Sequence, residues 1–455
     1  MTGRPGRMTG ALGALMAAGW PGVVLACALP PAIVMTLPTG HYMWGAALAV
    51  ALTGLAAGLV PRLPALSAHR LCALPRLPVV TPLSYLSTLV MGLLIGLGLW
   101  GPADPMHNLL TLVFWTGVWV ALPLLSMLAG DVWRLINPWT GLVRILRLLA
   151  GRKRGIGLDR LGHWPAVAGL AGFSWFQIAS LSPEDPRGLA LLMLGYWGMI
   201  LALAVLEGEE WLGRGEFLTV LMRALSRISP LWVEEGRLMA GWPGAQLLRM
   251  DAMSRSGVAF VTLVLASLGF DGLRATFWWL SLVGQNPLEF AGRSAVVWSS
   301  SLGLLAAWAL TWGTIRGALW LGWRWSGQAL PAGPVMLSFL AIAAGYHVSH
   351  YLMLLLTAGQ YTISALNDPF LRGDSLLGLQ PFWVSMGFLT DRGVMVAVWN
   401  LQFALILGAH LLAVVLAIRL SPVAARGLRA HLPLTVLMVG WTVLGLWLLA
   451  SPAGA

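Results

Sequence analysis

Residues 334–357 read PVMLSFLAIAAGYHVSHYLMLLLT. The run is apolar for long enough to cross a hydrocarbon layer as a helix, because about 20 residues at a rise of about 1.5 Å each suffice. Within it stand His347 and His350. Ionisable side chains are costly in hydrocarbon, so a pair of them there reads as a functional site. Residues three apart share a helix face, and both imidazoles are therefore expected to point into one protein-lined space.

The rest of the chain has the same character. Of its 455 residues 58% are hydrophobic and 10% charged, and the mean hydropathy is +0.79, values that no soluble globular class matches. The net charge is +11, nearly all of it from arginine, with Lys153 the single lysine. In so apolar a chain that excess speaks for cytoplasmic loops facing anionic headgroups and against nucleic acid as a partner. The only cysteines are Cys27 and Cys72, too few for a thiolate cluster and expected at opposite leaflets, where no disulfide joins them.

Apolar runs of spanning length fall at 11–36, 41–61, 84–100, 108–129, 161–181, 188–206, 257–280, 294–318, 334–357, 393–418 and 431–451. The expected fold is thus an all-α polytopic bundle of about 10–11 transmembrane helices, forming one membrane domain over 1–455. Every second connection is basic. Arg62, Arg70 and Arg76 follow the second run, seven basic residues lie between Arg134 and Arg160, and Arg419, Arg426 and Arg429 follow the tenth. The positive-inside rule then puts the N-terminus inside and the C-terminus outside. The 1–36 segment reads either as a first helix or as a signal-like segment, with Val24-Leu25-Ala26-Cys27 resembling a loose lipoprotein box.

Three connections are long enough for structure of their own. In the basic connection 130–160, Leu142, Val143, Ile145, Leu146 and Leu148 alternate with Arg144 and Arg147, the pattern of an amphipathic helix on the cytoplasmic leaflet. Residues 207–256 read as a cytoplasmic helical excursion, solvated, with Glu207, Glu209 and Glu210 as a stop in water. The outer loop 359–392, containing Phe382-Trp383-Val384, reads as a lid or partly re-entrant segment.

Depth can be counted from the cytoplasmic end of each run. At about 1.5 Å per residue, His347 and His350 lie about 20 and 24 Å in, Asp271 about 21 Å, and Gln402 and Gln177 about 24 Å. Tyr351 and Asn400 lie just beyond, whereas His410 falls near 12 Å and is left out. Five polar side chains on four helices thus share one stratum, and each needs a partner there. Two imidazoles and a carboxylate match a divalent metal site with open positions, zinc being the best fit, with His347, His350 and Asp271 as ligands. Gln402 and Tyr351 would then orient the substrate. The competing reading is a hydrogen-bonded histidine pair that fixes helix packing without a metal, and an Asp271–Arg274 ion pair is the rival to a ligand role for Asp271. His41 and His107, at outer helix ends, read as interfacial.

Several stretches carry a family likeness. They are Asp131-Val132-Trp133-Arg134-Leu135-Ile136-Asn137-Pro138-Trp139, Phe270-Asp271-Gly272-Leu273, Tyr346-His347-Val348-Ser349-His350-Tyr351-Leu352, Gly359-Gln360-Tyr361, Asn367-Asp368-Pro369-Phe370, the run from Gly408 through His410 to Ala417, and Gly445-Leu446-Trp447-Leu448-Leu449. In these the chain resembles the bacterial membrane-integrated fenitrothion hydrolases. The resemblance implies hydrolysis of a P–O–aryl bond in a lipophilic phosphotriester, together with a companion membrane protein, and it implies no particular catalytic residues. Three functions therefore stand side by side: a membrane-embedded hydrolase, with or without a metal, with its site in the outer half of the bilayer; a transporter or metal-handling protein; and a non-catalytic subunit that docks a partner.

Overall fold

Ten of the eleven expected spans fall where the structure, a computed structural model, describes the chain: residues 39–59, 66–73, 79–289, 292–380, 383–422 and 427–451. The 1–36 segment with Cys27, and Phe382 of the outer loop, lie outside the described residues. Each of the ten spans forms a helix. They are α1 (Thr39–Leu59), α2 (Val80–Trp100), α3 (Leu109–Ala129), α5 (Trp164–Ala179), α6 (Pro186–Glu207), α8 (Arg255–Arg274), α9 (Arg293–Ser326), α10 (Ala332–Asn367), α11 (Arg392–Leu420) and α12 (Leu428–Ala450), with α4 (Thr140–Leu149) and α7 (Phe217–Leu225) between them. Among the described residues nine are long and apolar enough to cross a membrane. The exception is α5, whose 16 residues span only about 24 Å.

Helix α10 is the axle of the bundle. Its residues Val335 to Ala344 are buried almost without a break, as expected of a helix that is apolar all round and enclosed by neighbours. It packs along α11, α8 and α3. It also continues to Asn367, so the outer connection begins at 368 rather than 359. That loop is then folded on itself: the Asp368 carboxylate accepts the Arg372 and Gly373 N–H groups, and the Asn367 side chain accepts those of Leu377 and Leu379. The backbone N–H groups, that of Arg372 foremost, hold the Asp368 carboxyl below the usual carboxylate range. These contacts are therefore present above the ordinary aspartate pKa and lost as pH falls through the lowered one. Asp368→Ala should speed proteolytic nicking between 368 and 380 at neutral pH, measured by fragment mass.

The bundle is not purely helical. Strands β1 (Ala68–Ala73), β2 (Leu231–Glu234) and β3 (Arg237–Gly241) form an antiparallel sheet in the order β1-β3-β2. The β2–β3 turn is Glu235-Gly236, both at positive φ, as a two-residue hairpin of matching twist requires. The expectation of a solvated helical excursion over 207–256 is thus corrected in part. Helix α7 forms, with Leu218, Val220, Leu221 and Leu225 buried in the main core rather than solvated, and Phe217 stacks on Phe173 of α5.

Polar anchors hold α7 there. Glu216 is fully buried and caps the helix, accepting the N–H groups of Leu218 and Thr219, the Thr219 hydroxyl and the Tyr196 phenol. Thr219 Oγ1 in turn accepts from Trp133 Nε1 and Asn137 Nδ2. The acids that end α6 stay at the surface, with Glu210 exposed, and two of them also find partners there. Glu207 accepts the backbone N–H groups of Ile156, Gly157, Leu158 and Asp159, and Glu209 pairs with Arg144 on α4. Burial pushes the Glu216 carboxyl above the ordinary glutamate range. Its contribution is therefore largest below about pH 4.5 and falls as pH rises through the raised value. Glu216→Ala should strand four donors and cost about 1–3 kcal/mol, read from thermal unfolding in detergent, and should remove that pH dependence.

Candidate functional site

Three of the five polar side chains counted into one stratum, Asp271, His350 and Gln177, meet around the C-terminal turn of α8. Asp271 lies one turn before the end of that helix and is buried. Its Oδ1 accepts from Arg274 at 2.9 and 3.0 Å, a local i,i+3 pair, and the cation also suits the negative end of the helix dipole. Its Oδ2 accepts from two other helices: from His350 Nε2 at 3.0 Å and the Tyr351 hydroxyl at 3.0 Å, both on α10, and from Gln177 Nε2 on α5 at 3.2 Å. Gln177 also donates to the Tyr351 oxygen at 2.7 Å. The α5 end that carries Gln177 is capped by Arg293, whose guanidinium donates to the carbonyls of Gln177 and Ser180.

The two histidines part company. His347 Nε2 bonds the Trp119 carbonyl at 2.9 Å, in the π-helical stretch Val113–Ala121 inside α3. Such stretches are rare and frequent at functional sites. The Tyr351 ring lies between the imidazoles, with centroids 5.0 Å from His347 and 4.6 Å from His350. A three-residue step turns a helix about 60° short of a full circle, and at this crowded depth that offset assigns the two rings to different neighbours. The expected common space for His347, His350 and Asp271 is thus divided. Among the described residues no group of three His, Cys, Asp or Glu side chains is placed to hold one ion.

Gln402 also belongs elsewhere. Its Nε2 donates to the Ser349 carbonyl at 2.7 Å, while Ser349 Oγ donates back to the Gln402 carbonyl, so it clamps α10 to α11. His410 donates through Nδ1 to Ile406 within its own helix. His41 and Asn400 are exposed, and His107 pairs with Asp104 at the surface.

Two residues without an assigned role complete the site. Tyr346 stacks nearly parallel to His350, with centroids 5.7 Å apart, and its buried hydroxyl has no hydrogen-bond partner among the described residues. Gly272 makes this approach possible, since a Cβ there would lie 2.7 Å from the Tyr346 oxygen and 3.6 Å from the His350 ring. Tyr346 stands next to His347 in the sequence, but only the fold shows that its phenol is unsatisfied. His350 and Arg274 are each about one-fifth exposed, whereas Asp271 beneath them is enclosed. The arrangement is a buried carboxylate orienting a partly accessible imidazole, flanked by a guanidinium and a spare phenol.

Comparison with family models gives no match, and comparisons with curated proteins and with solved structures give none either.

Proposed function

We propose that the chain is a membrane-embedded hydrolase of lipophilic phosphotriester-like substrates, with Asp271 and His350 as its base. One observation carries the reading: His350 is pinned through Nε2 by Asp271, and no hydrogen bond engages its Nδ1 among the described residues. In the neutral ring the bonded Nε2 carries the proton, so Nδ1 offers a lone pair to a water. Asp271 keeps the ring in that tautomer and stabilises the imidazolium formed when the water is deprotonated. The hydroxide attacks phosphorus and the aryloxide departs. Arg274 and the unsatisfied Tyr346 hydroxyl are the donors available to the charge that develops on the phosphoryl oxygen. Tyr351 and Gln177 hold the carboxylate. An outer-leaflet position in a bacterial inner membrane, with the C-terminus outside and a companion membrane protein, completes the reading, supported by the arginine distribution and by the family resemblance.

The test is turnover of fenitrothion in membranes bearing the wild type, His350→Gln and the surface control His107→Ala. His350→Gln should lose about 10²–10⁴-fold, the usual worth of a general base, while the control retains activity. Full turnover in His350→Gln would reduce the pair to a packing device. Zinc content of the same preparations tests the metal-dependent form of the reading. Stoichiometric zinc lost with His350 would support it, and equal content in both would end it.

A further inference from the structure

A groove of about 670 Å³ opens between α5, α8 and α9, at the other end of α8 from Asp271, and is lined by Trp164, Arg255, Thr262, Trp308, Trp312 and Arg316. Arg255 and Asp271 are 16 residues apart on one helix, about 24 Å, so the groove is distinct from the site above. Its register is fixed by Trp308, whose Nε1 donates to Thr262 Oγ1 at 3.1 Å. Arg255 lies two turns before Thr262, and Arg316 lies about two turns after Trp308 on the antiparallel neighbour. Both guanidinium groups therefore arrive at one level, beside Trp164 at the first turn of α5.

Neither arginine forms an ion pair among the described residues. Both are exposed, and Arg316 also lies over the Trp312 ring, 5.7 Å from its centroid. Away from the charged level the wall turns apolar, lined by Leu305, Trp308 and Ala309 of α9. Two unneutralised cations beside indoles, opening onto an apolar channel on a bilayer-spanning face, complement one ligand chemistry. A phosphate diester would sit at the headgroup level and an acyl chain would run along the channel. Its volume is also within the range of ligand-binding clefts, about 300–1,000 Å³. We infer that this groove is a specific site for an anionic phospholipid, phosphate between Arg255 and Arg316 and one acyl chain along Trp308 and Leu305.

The experiment is native mass spectrometry of the detergent-purified chain titrated with phosphatidylglycerol or phosphatidylcholine. The wild type should take up one phosphatidylglycerol ahead of phosphatidylcholine. The double variant Arg255→Gln, Arg316→Gln should bind it about thirtyfold more weakly, about fivefold for each guanidinium. Arg255→Lys with Arg316→Lys should keep most of the binding, and Arg372→Gln, the same charge change in the loop after α10, should keep all of it. Undiminished phosphatidylglycerol binding in the double Gln variant, or equal uptake of both lipids by the wild type, would overturn the assignment. So would equal competition by inorganic phosphate at the same concentration, because it would show a headgroup site without a chain.

Discussion

Asp271→Asn should lower fenitrothion turnover by about 10²–10⁴-fold and destabilise the protein at the same time. The two effects have different origins. The amide keeps the size of the carboxylate, yet it removes the charge that favours the His350 imidazolium and allows the ring to present the wrong tautomer. Arg274, four-fifths buried, also loses its counter-ion, and breaking a buried pair from one side costs about 3–5 kcal/mol. A double-mutant cycle separates them. Adding Arg274→Gln to Asp271→Asn should recover much of the thermal stability, because no unpaired cation remains, while turnover stays low. Recovery of turnover together with stability would show that Asp271 only holds the helix end.

Gly345→Val should be strongly destabilising although the residue carries no functional group. A Cβ at 345 would overlap the Ala409 methyl and lie 2.8 Å from the Leu405 carbonyl oxygen, both on α11. Backbone cannot yield as a side-chain tip can. The α10–α11 contact must open, at about 1–3 kcal/mol or more, and the Ser349–Gln402 clamp one turn on opens with it. His350 lies on that same turn, so turnover should fall as well. Gly359→Ala, on the same helix and with nothing within 4 Å of the added methyl, should be neutral or slightly stabilising. Equal melting temperatures for the two variants would refute the close-packing argument.

The spans were legible because hydropathy is one-dimensional and so is a helix crossing a bilayer. Residue counting likewise placed Asp271, His350 and Gln177 at one depth with Tyr351 just beyond, and the four meet. Rotation about the helix axis is what counting omits. That is why His347 and Gln402, at the same depth, belong to Trp119 and Ser349 instead. Glu216 is not legible as an anchor within 207–256, since nothing local distinguishes a carboxylate that will accept four donors from one in water. The strands were missed for a related reason. Ala68–Ala73 is almost wholly exposed and shows no period-two alternation, and only Glu235-Gly236 carries a turn signal.

That small sheet also sets an order of events in biosynthesis. Ala68 pairs with Gly241, so β1 leaves the ribosome long before its partner exists. At the usual elongation rate the delay is roughly 10–30 s, during which α2, α3 and α6 must be laid down beside one another. Until then β1 has an unpaired edge, the kind of surface on which nascent chains pair wrongly. Closing the sheet ties the first connection to the hairpin that precedes α8, and so registers the early helices before the helix bearing Asp271 is in place.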